Sequence, residues 1–239
     1  MHDISKLNRK HKKGIFLGCG KSINQLSQKN IDVLHKEFDI WVSNSFMINK
    51  DIVPDFYHLE VKNHRNGPLV KRIISEKFQK YKNTKWILDA TRPHLLSNFN
   101  PKNYNPDNFY FYRKYYRQES HGMYKPIKEG LGVSLNASLS LICDAIIKMK
   151  YDEFYFLGVD MDDCRYFWTD NKKYSDVLIE DIIKTTKPDE RSPDSLHPTF
   201  KMKFFIKEIF ETNNQKAINL SNSSLLKETI ETRKIGEVL

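Results

Sequence analysis

The sequence predicts an α/β fold: a doubly wound, mostly parallel sheet with a lid insertion. Three observations carry this. Short apolar runs alternate with helix-period stretches along most of the chain, and such alternation builds parallel sheets through crossover helices. The first run, Ile15-Phe16-Leu17, leads at once into Gly18-Cys19-Gly20-Lys21-Ser22, which reads as a buried strand, a glycine turn and a helix start with Ile23 and Leu26 on its inner face. One long stretch, 161–196, breaks the alternation with mixed charge, Pro188 and Pro193, as a lid does.

Composition narrows the class. Hydrophobic residues are 39% and charged residues 29% of 239, which fits a folded globular chain and excludes disorder. No apolar run approaches the roughly 20 residues needed to cross a bilayer. Met1 to Lys13 is basic and polar, so no signal peptide is read there. Cys19, Cys143 and Cys164 lack metal-type spacing and suggest a reducing compartment, the cytoplasm. The net charge of +9 fits simple solubility or an anionic partner: a nucleotide, an acidic sugar, nucleic acid or the inner face of a membrane. A homo-oligomer is left open.

The glycine turn fails two standard tests. A phosphate-binding loop of the Walker type needs glycine at position 15, which is Ile15, and a dinucleotide fingerprint needs glycine at position 23, which is Ile23. What remains is a generic anion-binding turn, Gly18, Cys19, Gly20 and Ser22, at a helix N-terminus. Next, Phe38-Asp39-Ile40-Trp41-Val42 reads as a strand whose end places Asn44 where open sheets bind ligands; a turn or cap role is the alternative. Residues 55–59 read as a third strand ending near His58. The stretch 68–81 reads as a helix, with Leu69, Ile73, Ile74 and Phe78 on one face. Trp86-Ile87-Leu88 reads as a short strand.

Residues 109–117 interleave aromatics with Arg113, Lys114 and Arg117. They suit base stacking, or a sugar face with bidentate arginine pairing to its carboxylate; an edge strand is the alternative. No recognised RNA-binding signature accompanies them, so nucleic acid is not favoured. Gly130 to Ser134 reads as a second glycine turn, with Gly132 and Ser134 opening a long helix to Met149 and offering a second anion seat. A strand from Glu153 then ends in Gly158-Val159-Asp160, where Asp160 binds a metal or ribose, or fixes a loop. After the lid, His197-Pro198-Thr199 starts a helix with Phe200, Phe204, Phe205, Ile209 and Phe210 inward. Ala217 to Leu220 is the last strand expected, Asn222, Ser223 and Ser224 cap a last helix, and the tail reads as frayed.

Four blocks therefore stand in order: the strand–Gly-x-Gly–Ser unit, Phe-Asp-Ile-x-x-x-Asn at 38–44, the strand ending Leu-Gly-Val-Asp at 157–160, and a His before a helix followed by strand–Asn-Ser-Ser-Leu-Leu. This series resembles the bacterial sialyltransferases of glycosyltransferase family 42. It also resembles the wider set of flagellin-glycosylation proteins and MptE-like pterin pyrophosphokinases with the same Rossmann-like core. The resemblance implies a CMP-activated nine-carbon acidic sugar as donor, a glycan hydroxyl as acceptor, inversion, and no cofactor. It implies nucleotide contacts from Gly18, Gly20, Ser22, Asn44, Asn222, Ser223 and Ser224, and His197 as general base. Three departures are visible. His58 replaces an Asn; Asp162 replaces a lid tyrosine, leaving Tyr166 and Tyr174 as displaced candidates; and Gly132-Val133-Ser134 replaces Thr-Ser-Gly at a helix start. Pyrophosphate transfer from ATP is the rival, with Mg2+ held by Asp160, Asp162 and Asp163. The organisation expected is a nucleotide-binding core over 1–160, a lid over 161–196, and 197–239 completing the core.

Overall fold

The structure, a computed structural model, describes residues 2–60, 71, 73–90, 96, 97, 99, 100, 102–116, 131–134, 138–161, 166–169, 171–175 and 198–239. Its strands are β1 (His2–Asp3), β2 (Lys13–Leu17), β3 (Phe38–Ser43), β4 (Phe56–Leu59), β5 (Lys85–Asp89), β6 (Phe109–Tyr116), β7 (Leu131–Ser134), β8 (Glu153–Leu157), β9 (Lys216–Asn219) and β10 (Glu231–Thr232). They form one sheet in the order β1-β6-β5-β4-β3-β2-β8-β9-β10, with β7 pairing β6. Every strand pair described is parallel. The predicted doubly wound sheet is therefore present. Its order reverses at β2, which pairs β3 on one side and β8 on the other.

A parallel sheet must be covered on both faces, so its strands read as continuous apolar runs. Ile15, Leu17, Ile40, Val42, Tyr57 and Leu157 line one face. Phe16, Trp41, Phe56, Ile87, Phe154 and Phe156 line the other. The first face is covered by α1 (Gln28–Glu37) through Ile31 and Leu34, and by Ile73 and Ile74 of a helical stretch at 73–77. The second is covered by α2 (Ser138–Met149) and α3 (Pro198–Thr212), through Ile142, Ile146, Phe205 and Ile209. Each large apolar side chain so buried contributes about 1.5–3 kcal/mol.

Several expectations are corrected. The helix expected at Lys21-Ser22 is a 3₁₀ turn, Lys21–Gln25, whose leading Gly20 has no side chain to cap it. The α-helix begins later, where Ser27 and Asn30 form a reciprocal capping box. The second glycine turn is not a turn: Leu131 to Ser134 form β7, with Ser134 beside Tyr116, and α2 starts at Ser138. The aromatic-basic run is β6, an internal strand of the sheet. Phe204 is 55% exposed, because α3 buries the stripe Met202, Phe205, Ile206, Ile209 and Phe210. The last helix is one 3₁₀ turn, Leu225–Glu228, and β10 extends the sheet beyond the strand expected to be last. The tail is held, not frayed: Ile235, Val238 and Leu239 pack on the first face, and Asn30 Nδ2 donates to the Leu239 carbonyl at 3.4 Å.

Candidate active site

Because all strands run one way, their carboxyl ends lie along one edge. The turns after β2, β3, β8 and β9, and Glu60 directly after β4, lie there, about the point where the strand order reverses, the place where open α/β sheets bind ligands.

The turns after β2 and β8 are zipped together. Gly18 N–H donates to the Leu157 carbonyl and Gly20 N–H to the Gly158 carbonyl, both at 2.8 Å. A Cβ on Gly18 would collide with the Gly158 carbonyl, and one on Gly20 would stand 2.5 Å from Asp160 Oδ2. Gly158 has φ +75°, a conformation glycine adopts freely. The chain's own packing thus requires these glycines. Ser22 donates through N–H and Oγ–H to the two oxygens of Asp160 at 2.8 and 2.6 Å, and Ser22 Oγ accepts Gly158 N–H at 2.9 Å. Both residues are buried. Of the roles left open for Asp160, loop fixing is the one its contacts perform.

Asn44 sits at φ 45°, a left-handed conformation that Asn tolerates better than most residues. Its Nδ2 donates to Ser138 Oγ at 3.0 Å, its Oδ1 accepts Glu60 N–H at 2.8 Å, and its carbonyl accepts the Tyr57 hydroxyl at 2.5 Å. Ser138 Oγ donates to Glu60 Oε2 at 2.7 Å. Burial pushes the Tyr57 phenol well above its usual range, so it remains a donor. Cys19, half-buried, places Sγ 4.0 Å from the Ser43 carbonyl and connects this junction to the glycine turn.

Part of the segment expected to be a lid is anchored at the same edge. Tyr166 forms an antiparallel bridge with Gly20, Phe167 N–H donates to the Cys19 carbonyl at 2.9 Å, and Asn24 Nδ2 donates to the Phe167 carbonyl at 2.9 Å. The Tyr166 ring lies parallel to Trp168, with centroids 4.5 Å apart. Tyr174 is a core residue: it is buried, packs edge-on against Phe167, and accepts Asn49 Nδ2 at 3.3 Å. Burial pushes its phenol up to about 12.

Behind β9, Ser224 Oγ donates to the Val159 carbonyl at 2.5 Å, fixing this turn against the one after β8. Asn222 and Ser223 are exposed beside it. His58 is buried at the end of β4, with Nε2 2.7 Å from the Tyr112 hydroxyl. Gly132, Ser134 and Arg113 are placed on β7 and β6. Arg117, Asp162, Asp163 and His197 lie outside the described residues. Among the described residues, no group of three or more His, Cys, Asp and Glu is arranged to hold a metal, and no helix is long and apolar enough to cross a membrane.

Sequence reasoning missed Glu60 and Ser138. Glu60 follows a strand as Asn44 does, so the same rule would have found it. Ser138 was hidden by Ser134, which looked like the cap.

Fold and site together define a doubly wound, parallel α/β protein whose candidate site lies at the carboxyl ends of its strands. No family model and no curated protein sequence matches the chain. Among solved structures it is similar to sialyltransferase CstII. A single-residue variant of that enzyme in complex with CMP superposes with a TM-score of 0.51 at 15% identity, over 92% of this chain and 85% of the other. CstII from Campylobacter jejuni in complex with a substrate analogue, CMP-3FNeuAc, gives 0.51 at 15%, over 93% and 87%. At such identity the likeness establishes a shared fold.

Proposed function

We propose that this chain is a glycosyltransferase that moves a nine-carbon acidic sugar from a CMP donor to a glycan hydroxyl, inverting the anomeric carbon. The observation that carries this reading is the assembly of Gly18–Ser22, Asn44 and Ser138 at the reversal point of a fold shared with CMP-bound sialyltransferases. In the reaction, the acceptor oxygen attacks the anomeric carbon. The bond from that carbon to the phosphate oxygen breaks, and CMP leaves with the electron pair. The acceptor proton passes to a base, which we assign to His197. It immediately precedes Pro198, the first residue of α3, and imidazole is the side chain whose ordinary range suits a base near neutral pH. Tyr166, tied to Gly20, is assigned as donor to the departing phosphate.

A metal-free mechanism is part of the reading. Ser22 occupies one acceptor site on each oxygen of the buried Asp160, and clamping β2 to β8 is the role we assign to this carboxylate. Thermal unfolding with CMP, CDP, UDP and ATP, each with and without Mg2+, is the test. Ligand at a hundred times its Kd stabilises the native state by about 2.7 kcal/mol. CMP raising Tm without metal is the expected result. A response to ATP that requires Mg2+, with none to CMP, overturns the reading in favour of pyrophosphate transfer.

A further inference from the structure

The glycine turn after β2 reads in the sequence as an anion seat made of main-chain N–H groups at a helix N-terminus. The fold spends those donors on the chain itself. Gly18 N–H is on the Leu157 carbonyl, Gly20 N–H on the Gly158 carbonyl and Ser22 N–H on Asp160 Oδ2, each at 2.8 Å. The element that follows is a 3₁₀ turn, and α1 starts only at Gln28 behind its own Ser27–Asn30 box, so little helix dipole stands at the turn. The Asp160 carboxylate lies close by: a Cβ on Gly20 would stand 2.5 Å from its Oδ2. That charge sets the local field against an anion, and a cation is needed to reverse it.

Lys21 is that cation. It sits between Gly20, which is tied to Gly158 and bridged to Tyr166, and Ser22, which is clamped to Asp160. Its neighbours on both sides are therefore fixed, while Lys21 itself is exposed. Among the described residues, no hydrogen bond or ion pair engages its ammonium. The other described lysine on the turns after β2, β8 and β9 is Lys227, which already donates to the Asn222 carbonyl at 3.0 Å. A lysine ammonium is a compact point charge with three donors, and phosphate oxygens take such donors in charge-assisted hydrogen bonds.

We propose that Lys21 is a specificity-determining residue whose ammonium binds the phosphate of the donor, with the glycine turn as the frame that presents it. The proposal rests on the transferase reading, which supplies a donor carrying one phosphate. In the intact donor that phosphate is a diester with a single negative charge. When the bond from the anomeric carbon to the phosphate oxygen breaks, the electron pair stays on the oxygen and the phosphate gains a second charge. An ammonium held there meets the charge as it develops.

The test compares the native chain with Lys21→Met, which keeps an apolar stem and removes the charge, and with Lys21→Arg, which keeps the charge. Calorimetry gives Kd for CMP and for cytidine, which lacks the phosphate; thermal unfolding checks that Tm is unchanged. Lys21→Met should weaken CMP by about tenfold or more, the scale of a lost charge-assisted contact, and leave cytidine within about twofold. Lys21→Arg should stay closer to native. Raising salt from about 0.05 M to about 0.3 M should weaken CMP in the native chain more than in Lys21→Met. A folded Lys21→Met with native CMP affinity, or with equal losses for CMP and cytidine, overturns the proposal and leaves the transferase reading intact. A native chain that binds no CMP overturns both.

Discussion

The two edges of the sheet use buried carboxylates differently. At the amino edge, Asp39 is fully buried and accepts Lys10 N–H at 2.9 Å, His11 N–H at 3.1 Å and the Tyr151 hydroxyl at 2.8 Å. Tyr151 in turn accepts Trp41 Nε1 at 3.0 Å. That network closes on the chain itself and fixes the loop entering β2. At the carboxyl edge, Asp160 also closes on the chain, but Glu60, two strands from the point where the strand order reverses, is only half-buried. A buried carboxylate is therefore no sign of a site. Its partners and its remaining access decide, since structural networks also gather charged groups.

The strongest way to break this comparison is Asp39→Ala. It leaves the Tyr151 hydroxyl and two main-chain donors without their acceptor, so it should cost about 2–4 kcal/mol in urea or guanidinium unfolding. The folded fraction should bind CMP with native affinity. A selective loss of binding would place ligand contacts at both edges.

Gly18→Ala should act on both properties. Its methyl group would push the β2 and β8 turns apart against the Gly158 carbonyl, at about 1–3 kcal/mol of stability. Because the same turns form the proposed nucleotide seat, CMP affinity should fall alongside. Lost stability with unchanged affinity would show that the zipped turns serve the fold alone.

The smallest effect concerns Lys77, whose ammonium donates to the carbonyls of Met47 and Asn49 in and after the turn that follows Asn44. Burial lowers its pKa from 10.5 to about 8. Between these values the unfolded chain binds the extra proton, so stability from this residue rises with pH through that window and is lost as pH falls through about 8. Unfolding measured from pH 7.5 to 10 should show a positive slope that Lys77→Met reduces. Equal slopes would mean the site turn is insensitive to this charge.

What the sequence made legible follows from side-chain pattern. The strands at 13–17, 38–43, 85–89 and 153–157 are apolar runs bounded by polar residues, and the core faces of α2 are plain from Cys143, Ile146 and Ile147. β7 was not legible, because four residues containing Gly132 and Ser134 form a strand only through main-chain pairing to β6. β1 and β10 are two residues each, too short for any period. Phe204 misled because an aromatic was assigned inward by type; the helical stripe passes it by, and Lys203 is buried there through its pairing with Glu228. At the site, the glycine turn and Asn44 announced themselves, but their partners did not. Which hydrogen bonds Asp160 and Asn44 make depends on Ser22 and Ser138, residues far from them in sequence.

The position of β2 carries a consequence for how the molecule is made. Its Leu17 pairs with Val42 on one side and with Leu157 on the other, and the second partner is synthesised only past the midpoint of the chain. Until then the Ile15-Phe16-Leu17 edge is an unpaired apolar template, the kind that recruits foreign strands. Parallel partners this distant in sequence also form slowly, since loop closure precedes the contacts that reward it. The centre of the finished sheet is thus the last part of its early half to be protected, and the nascent chain is at greatest risk of aggregation in the interval before β8 arrives.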